Sequence, residues 1–165
     1  MATLRRSVVV STLFTVFGGP GIILVYLPLA ITRFHVPTDA PTWQRAIAIV
    51  LIFLGLVPLL ESIVRFVRAG SGTLMPQVPT ERLVVSGLYR WVRNPMYVGD
   101  IIVLAGEALL FRSAWMLGYT VAVWLTLDTF IRRYEEPTLG KRYGAEYAAY
   151  CHAVKRWRPR LRPLA

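Results

Sequence analysis

The sequence predicts an all-α, multi-pass membrane protein of about four transmembrane helices, followed by a cytoplasmic amphipathic C-terminal helix. Three observations predict it. The 165-residue chain is 55% hydrophobic, with a mean hydropathy of +0.50, too apolar for a soluble domain of this size. Largely apolar stretches lie between Arg6 and Arg33, from Ala46 to Val64, from Met96 to Phe111 and from Ala114 to Ile131. Each approaches the roughly 20 residues a bilayer core requires, the third being short. Sixteen of the nineteen Lys and Arg fall before the first stretch, between the second and third, or after the fourth, leaving only Arg33, Arg45 and Arg112 for the other side. By the positive-inside rule both termini are cytoplasmic. The net charge of +10 then serves anionic lipid headgroups rather than nucleic acid. The expected location is an integral membrane, the inner one in a bacterium.

A single domain fills residues 1–165, with the first two spans in 1–67 and a loop, helical hairpin and tail in 68–165. The first span is too long for a signal peptide and lacks a clean small-residue cleavage site, so it reads as a retained helix. Gly18, Gly19, Pro20 and Gly21 should bend it. The connection from Arg68 to Arg93 carries Gly70, Gly72, Pro76 and Pro79, which predicts an irregular first half suited to a ligand cradle. Span three opens on a local signal. Asn94 is a favoured N-cap and Pro95 follows at the first helical position, so the free amides and positive dipole end of that helix make a site for a carboxylate or phosphate, reinforced by Arg90 and Arg93.

Span four runs into Arg132, Arg133, Tyr134, Glu135, Glu136 and Pro137. A residue before proline avoids helical geometry, which predicts a break or kink at Glu136 and a new helix at Pro137. In that helix Leu139, Tyr143, Tyr147, Tyr150, Val154 and Trp157 form a stripe of 3.6-residue period. It suits an interfacial helix whose tyrosines also wall a pocket. Gly140 and Gly144 should admit a close neighbour.

Ionisable groups at membrane depth are costly, about 2.5–3.5 kcal/mol each at a bilayer centre. Glu61 and Asp128 have Arg65 and Arg132 four residues on and can pair with them. Asp100 and Glu107, seven apart, share one face of span three, with Asp100 near the helix start. Cys151 is the single cysteine, and His35 and His152 lack ligand spacing, so no metal site is expected.

These blocks resemble the integral membrane methyltransferases related to isoprenylcysteine carboxyl methyltransferase and the phospholipid methyltransferases. The resemblance covers roughly Gly72 to Pro159. Gly87, Tyr89, Arg93, Pro95, Tyr97 and Gly99 fit the family's first block, and Glu135, Glu136, Leu139, Tyr143, Gly144, Tyr147 and Tyr150 fit its second. Asn94 stands where many members have histidine; it keeps the cap but cannot carry a proton.

The resemblance implies S-adenosylmethionine as cofactor, on the cytoplasmic side, and methyl transfer to a lipophilic or membrane-embedded carboxylate or amine. The implied cofactor-binding residues are Tyr89, Arg93, Asn94, Pro95, Tyr97, Gly99, Glu135, Glu136, Tyr143 and Tyr147. The catalytic candidates are Arg132, Glu136 and Glu107. In-line transfer from a sulfonium needs positioning more than proton chemistry, although an amine acceptor must first be deprotonated, with Glu107, Asp100 or Glu136 at hand. Sterol-type membrane reductases share a similar block and tail and use NADPH, which is the alternative enzymatic reading. A non-catalytic membrane protein that keeps the fold is the alternative outside enzymes.

Overall fold

The computed structural model describes residues 18–69, 83 and 85–164. Most of the first half of the Arg68–Arg93 connection, expected to be irregular, and the start of the first span lie outside them. Among the described residues every regular element is helical: a wide π-type turn Ile22–Tyr26 leading into α1 (Leu27–Ile31), α2 (Thr42–Ala69), a 3-10 turn Gly87–Arg90, α3 (Pro95–Leu110), α4 (Ala114–Phe130), a second π-type turn Ile131–Glu135 and α5 (Glu136–Ala153). Among the described residues Gly19 is a turn within the glycine run, and the wide turn follows directly after Gly21, which keeps helical dihedrals.

Helix α2 packs on α3 through missing side chains. A β-carbon on Gly55 would sit 2.6 Å from the Gly99 carbonyl oxygen, one on Gly99 the same distance from the Gly55 carbonyl, and one on Gly106 2.9 Å from the Ala48 carbonyl. Small residues on one face let two backbones touch, the usual way helices associate where lipid removes the hydrophobic drive. Around this seam Leu24, Leu59, Val103, Leu104 and Met116 form the buried core.

The outer faces are also apolar. Val50, Phe53, Leu54, Val57 and Leu60 of α2 and Leu117, Val121, Trp124 and Leu125 of α4 are exposed, an apolar surface far beyond scattered single residues. Two helical segments, Thr42–Arg65 and Ala114–Ala153, are long and apolar enough to cross a membrane. The other two expected spans are shorter: α3 has 16 residues, about 24 Å of helix, and the Ile22–Ile31 segment begins close to the first described residue.

The junction expected at Glu136 and Pro137 is present, since α5 begins at Glu136 with Pro137 in its first turn, but Glu135 and Glu136 both keep helical dihedrals and the chain does not break there. Pro137 has no N–H for the carbonyl one turn back and its ring would strike it; the wide turn Ile131–Glu135 takes up the misfit without interrupting the helix. The real discontinuity is Gly144, at φ 53 and ψ −124, a conformation glycine adopts without the side-chain clash other residues meet. Gly140 and Gly144 face open space, and no other backbone packs against either. A β-carbon at Gly140 would meet only the Tyr147 ring at 4.0 Å, and one at Gly144 nothing within 4 Å.

Candidate functional site

The polar chemistry gathers where α3 begins and α4 ends. Gly87, at φ +55, lays its backbone directly on the Arg65 guanidinium, and the expected Glu61–Arg65 pair forms, with Arg65 also donating to the Ser86 hydroxyl at 2.8 Å. Tyr89 follows. Its carbonyl accepts from the Tyr150 hydroxyl at 2.7 Å, while its own hydroxyl lies beside Ser62 and within the field of Glu61 and Glu135. Burial pushes this phenol above its ordinary range, partly offset by Ser62, so it is a neutral donor at physiological pH.

A ladder of alternating charges stands next to it. Arg93 donates to Glu136 Oε1 at 2.8 Å and to the Cys151 sulfur at 2.9 Å. From the other side Arg156 grips Glu136 with two bonds, of 2.9 and 2.6 Å. Arg156 also approaches Asp128 at 3.8 Å, and Asp128 accepts from Arg132 at 2.6 Å and from the Trp157 indole at 2.8 Å. Bidentate arginine–carboxylate geometry fixes orientation as well as charge. With both its oxygens held by guanidinium groups, Glu136 orders the site.

The C-terminal tail closes this end of the molecule. After α5 the chain turns back, so that the Arg93 amide donates to Lys155 (2.9 Å), the Arg160 amide to Trp91 (2.9 Å) and the Leu164 amide to Arg90 (3.0 Å). Tyr147, Tyr150 and Val154 are buried beneath it, with Leu83, Val85, Leu139 and Tyr143 packed around them. The predicted stripe is therefore real as far as Val154, but it seals the tail onto the loop before α3, and Trp157 belongs to the returning strand of chain.

Asn94 occupies the N-cap position and its carbonyl accepts the first helical bond, from Val98 at 3.0 Å. Its side chain makes no cap bond. It turns instead to the tail, donating to the Arg156 carbonyl at 3.4 Å, and so leaves the first-turn amides of α3 uncapped by that residue. One turn on, the Tyr97 hydroxyl faces Glu135 Oε2 at 3.4 Å. Asp100 is buried, with its Oδ1 unpartnered among the described residues.

The structure thus brings together Tyr89, Arg93, Asn94, Pro95, Tyr97, Glu135, Glu136 and Tyr147. It separates others. Glu107 lies twelve residues beyond Pro95, about 18 Å along α3, near Tyr119 at the opposite end of the bundle, and cannot share a centre with Glu136. Gly99 is spent on the contact with Gly55. Arg132, more than half exposed, is paired with Asp128. Tyr143 packs against the Tyr147 and Tyr150 cluster, with the Arg142 guanidinium 5.8 Å from its ring. Sequence reasoning missed Arg156, Asp128 and Trp157 as members of the ladder. Nothing distinguished Arg156 among the tail's arginines.

A chain whose regular elements are all helical among the described residues, with two helical segments there able to cross a membrane and a polar cradle of arginines, carboxylates and tyrosines at one end of its bundle, is the class that fold and site define. Residues 43–146 match the phospholipid methyltransferase family. The chain belongs to that family. The match takes in α2, further toward the N-terminus than the motif blocks reach, and stops before the tail. A protein-S-isoprenylcysteine O-methyltransferase of Xenopus laevis is 28% identical over 116 residues, which is 66% of this chain and 38% of that protein; the chain therefore spans less than two-fifths of that relative's length. No solved structure matches the chain.

Proposed function

We propose that the protein transfers a methyl group from S-adenosylmethionine to a lipophilic, membrane-borne acceptor at its arginine-rich end. The observation that carries this reading is the convergence of both motif blocks on one cradle in a chain of the phospholipid methyltransferase family. The donor set fits the cofactor. The uncapped start of α3 suits its carboxylate, and Glu135, half-buried next to Tyr97 without a salt bridge among the described residues, suits its ammonium group or ribose hydroxyls. Tyr89 offers an apolar ring with a polar edge for adenine. When bound, the cofactor supplies a methyl group on a positively charged sulfur.

The residues of this chain have the remaining work: Arg93, Glu136 and Arg156 lock the loop, α5 and tail around the cradle, and the apolar outer faces of α2 and α4 hold the molecule in the bilayer beside its acceptor. Such preorganisation is the main contribution a positioning-limited transfer requires. The direct test is binding of S-adenosylmethionine and of NADPH to the purified full chain in detergent. Micromolar binding of the first and none of the second supports the proposal; the reverse supports a reductase, and binding of neither a protein that keeps the fold without the chemistry.

A further inference from the structure

We propose that the tail from Lys155 to Leu164 docks on anionic phospholipid at the surface of the leaflet beside the candidate site, and that this docking closes the site on its cofactor. The coupling to the cofactor rests on the methyltransferase reading above; the docking does not. Both ends of the tail are fixed. At one, Arg156 holds Glu136 with two bonds and the Trp157 indole donates to Asp128 at 2.8 Å, with the Trp157 ring 6.2 Å from that of Trp124 on α4. At the other, the Leu164 amide donates to the Arg90 carbonyl at 3.0 Å and the Leu164 side chain packs on the Tyr147 and Tyr150 cluster. The segment between presents its side chains outward. Arg158 and Arg162 are exposed, and Leu161 is 98% exposed.

The lengths of two helices set the depth of this segment. Both α3 and α4 meet the same far turn, where the Arg112–Asp39 ion pair and an 81% exposed Trp115 mark an interface. Measured from there, α3 has 16 residues, about 24 Å of helix, and α4 reaches Asp128 after about 21 Å. Both fall short of the roughly 30 Å of a hydrocarbon core. The bond between Asp128 and Trp157 and the loop before Pro95 therefore lie at the inner edge of the headgroup layer. The tail strung between them runs along the bilayer surface, where a bare leucine beside arginines is in its preferred medium.

Charge picks the lipid. No acidic residue follows Glu146 in the sequence, and among the described residues Lys155, Arg158, Arg160 and Arg162 have no carboxylate partner. The carboxylates that the tail touches are already taken, Asp128 by Arg132 and Trp157, Glu136 by Arg93 and Arg156. Cations left over at headgroup level call for phosphate, and lipids of net negative charge supply it without a choline or ethanolamine cation alongside. Each basic residue at such a surface contributes about fivefold in affinity. Docking bears on the site because the tail's backbone carries the loop before α3: the Lys155 carbonyl accepts from the Arg93 amide, and the Arg160 amide donates to the Trp91 carbonyl. A tail held on the membrane holds that loop in place.

The test places the full chain in nanodiscs of phosphatidylcholine alone and of phosphatidylcholine mixed with phosphatidylglycerol. Amide hydrogen exchange of the tail reports docking, and titration with S-adenosylmethionine reports closure of the site. In the mixed nanodiscs the amides of Arg160 and Leu164 should exchange about tenfold more slowly than in phosphatidylcholine, and the cofactor should bind about fivefold more tightly. Both gains should fade at molar salt. The double substitution Arg158→Gln with Arg162→Gln should bring both gains below about twofold while leaving cofactor affinity in phosphatidylcholine at the parent's value. Thermal unfolding in detergent checks that this variant folds. Inorganic phosphate added to phosphatidylcholine nanodiscs should reproduce neither gain. Equal exchange in the two nanodiscs, gains that survive the double substitution, slowed exchange with unchanged cofactor affinity, or gains produced by inorganic phosphate would each overturn the proposal. A parent that binds no S-adenosylmethionine in either nanodisc would remove the methyltransferase reading instead, and hydrogen exchange would still decide the docking.

Discussion

Glu135 and Glu136 are adjacent in sequence and opposite in circumstance. Glu136 is gripped by Arg93 and Arg156; Glu135 meets only a phenol among the partners identified for it. Glu136→Gln should therefore destabilise the ligand-free protein by about 1–3 kcal/mol, because it leaves two largely buried guanidinium groups without their counter-charge. Glu135→Gln should leave thermal stability nearly unchanged and weaken S-adenosylmethionine binding about tenfold. Thermal melts alongside titration calorimetry separate the two, and a melt equally lowered in both variants would contradict the division. From sequence the pair was legible as a unit, with both carboxylates assigned to the cofactor by what the family resemblance implies. The split between them was not, since it depends on Arg156 returning from twenty residues further on.

Helix boundaries were well marked by local chemistry, and helix contacts were not. Pro95 starts α3 where expected, and Ser113 caps α4 by accepting from the Met116 amide at 3.3 Å. Glycine, by contrast, read as motif or as freedom. Gly99 fits the first block, yet its position is dictated by Gly55, forty-four residues earlier, whose carbonyl would collide with any β-carbon. Gly55→Ala and Gly99→Ala should each destabilise by about 1–3 kcal/mol through overpacking. Gly118→Ala, in a helix with open space around it, should be neutral or stabilise slightly, by up to about 1 kcal/mol. Denaturation in mild detergent, comparing the three, tests the seam; equal tolerance at all three would refute it. The tail is a second element-scale device. Truncation after Arg158 removes the amide bonds from Arg160 to Trp91 and from Leu164 to Arg90, and should loosen the loop before α3, lowering cofactor affinity more than helix content. Circular dichroism with a binding titration checks this, and unchanged affinity would show that the tail is dispensable.

At the scale of the molecule, two polar ends face away from each other. One carries Glu61–Arg65, the arginine ladder and the strapped tail. The other carries the loop Thr32–Pro41 and the turn after α3, tied by an Arg112–Asp39 ion pair at 2.8 Å and by the Gln44 amide donating to the Leu109 carbonyl at 3.0 Å. Both sharp turns there use residues at positive φ: Arg33 and Phe34 in one, Arg112 in the other. The three basic residues that the charge count set apart, Arg33, Arg45 and Arg112, all belong to this second end, so geometry and charge asymmetry divide the chain the same way. If that division is a membrane's, the ladder end lies in the cytoplasm, where positive charge is retained. A reporter fused after Ala165 should then be active in the cytoplasm, and one inserted between Phe34 and Pro41 active only outside it. Arg160 and Leu164 are bonded to the loop at the ladder end, so the C-terminal reporter also reports where the candidate site opens. Signals from the same side would exclude the proposed orientation, and with it an acceptor approached from the cytoplasmic leaflet.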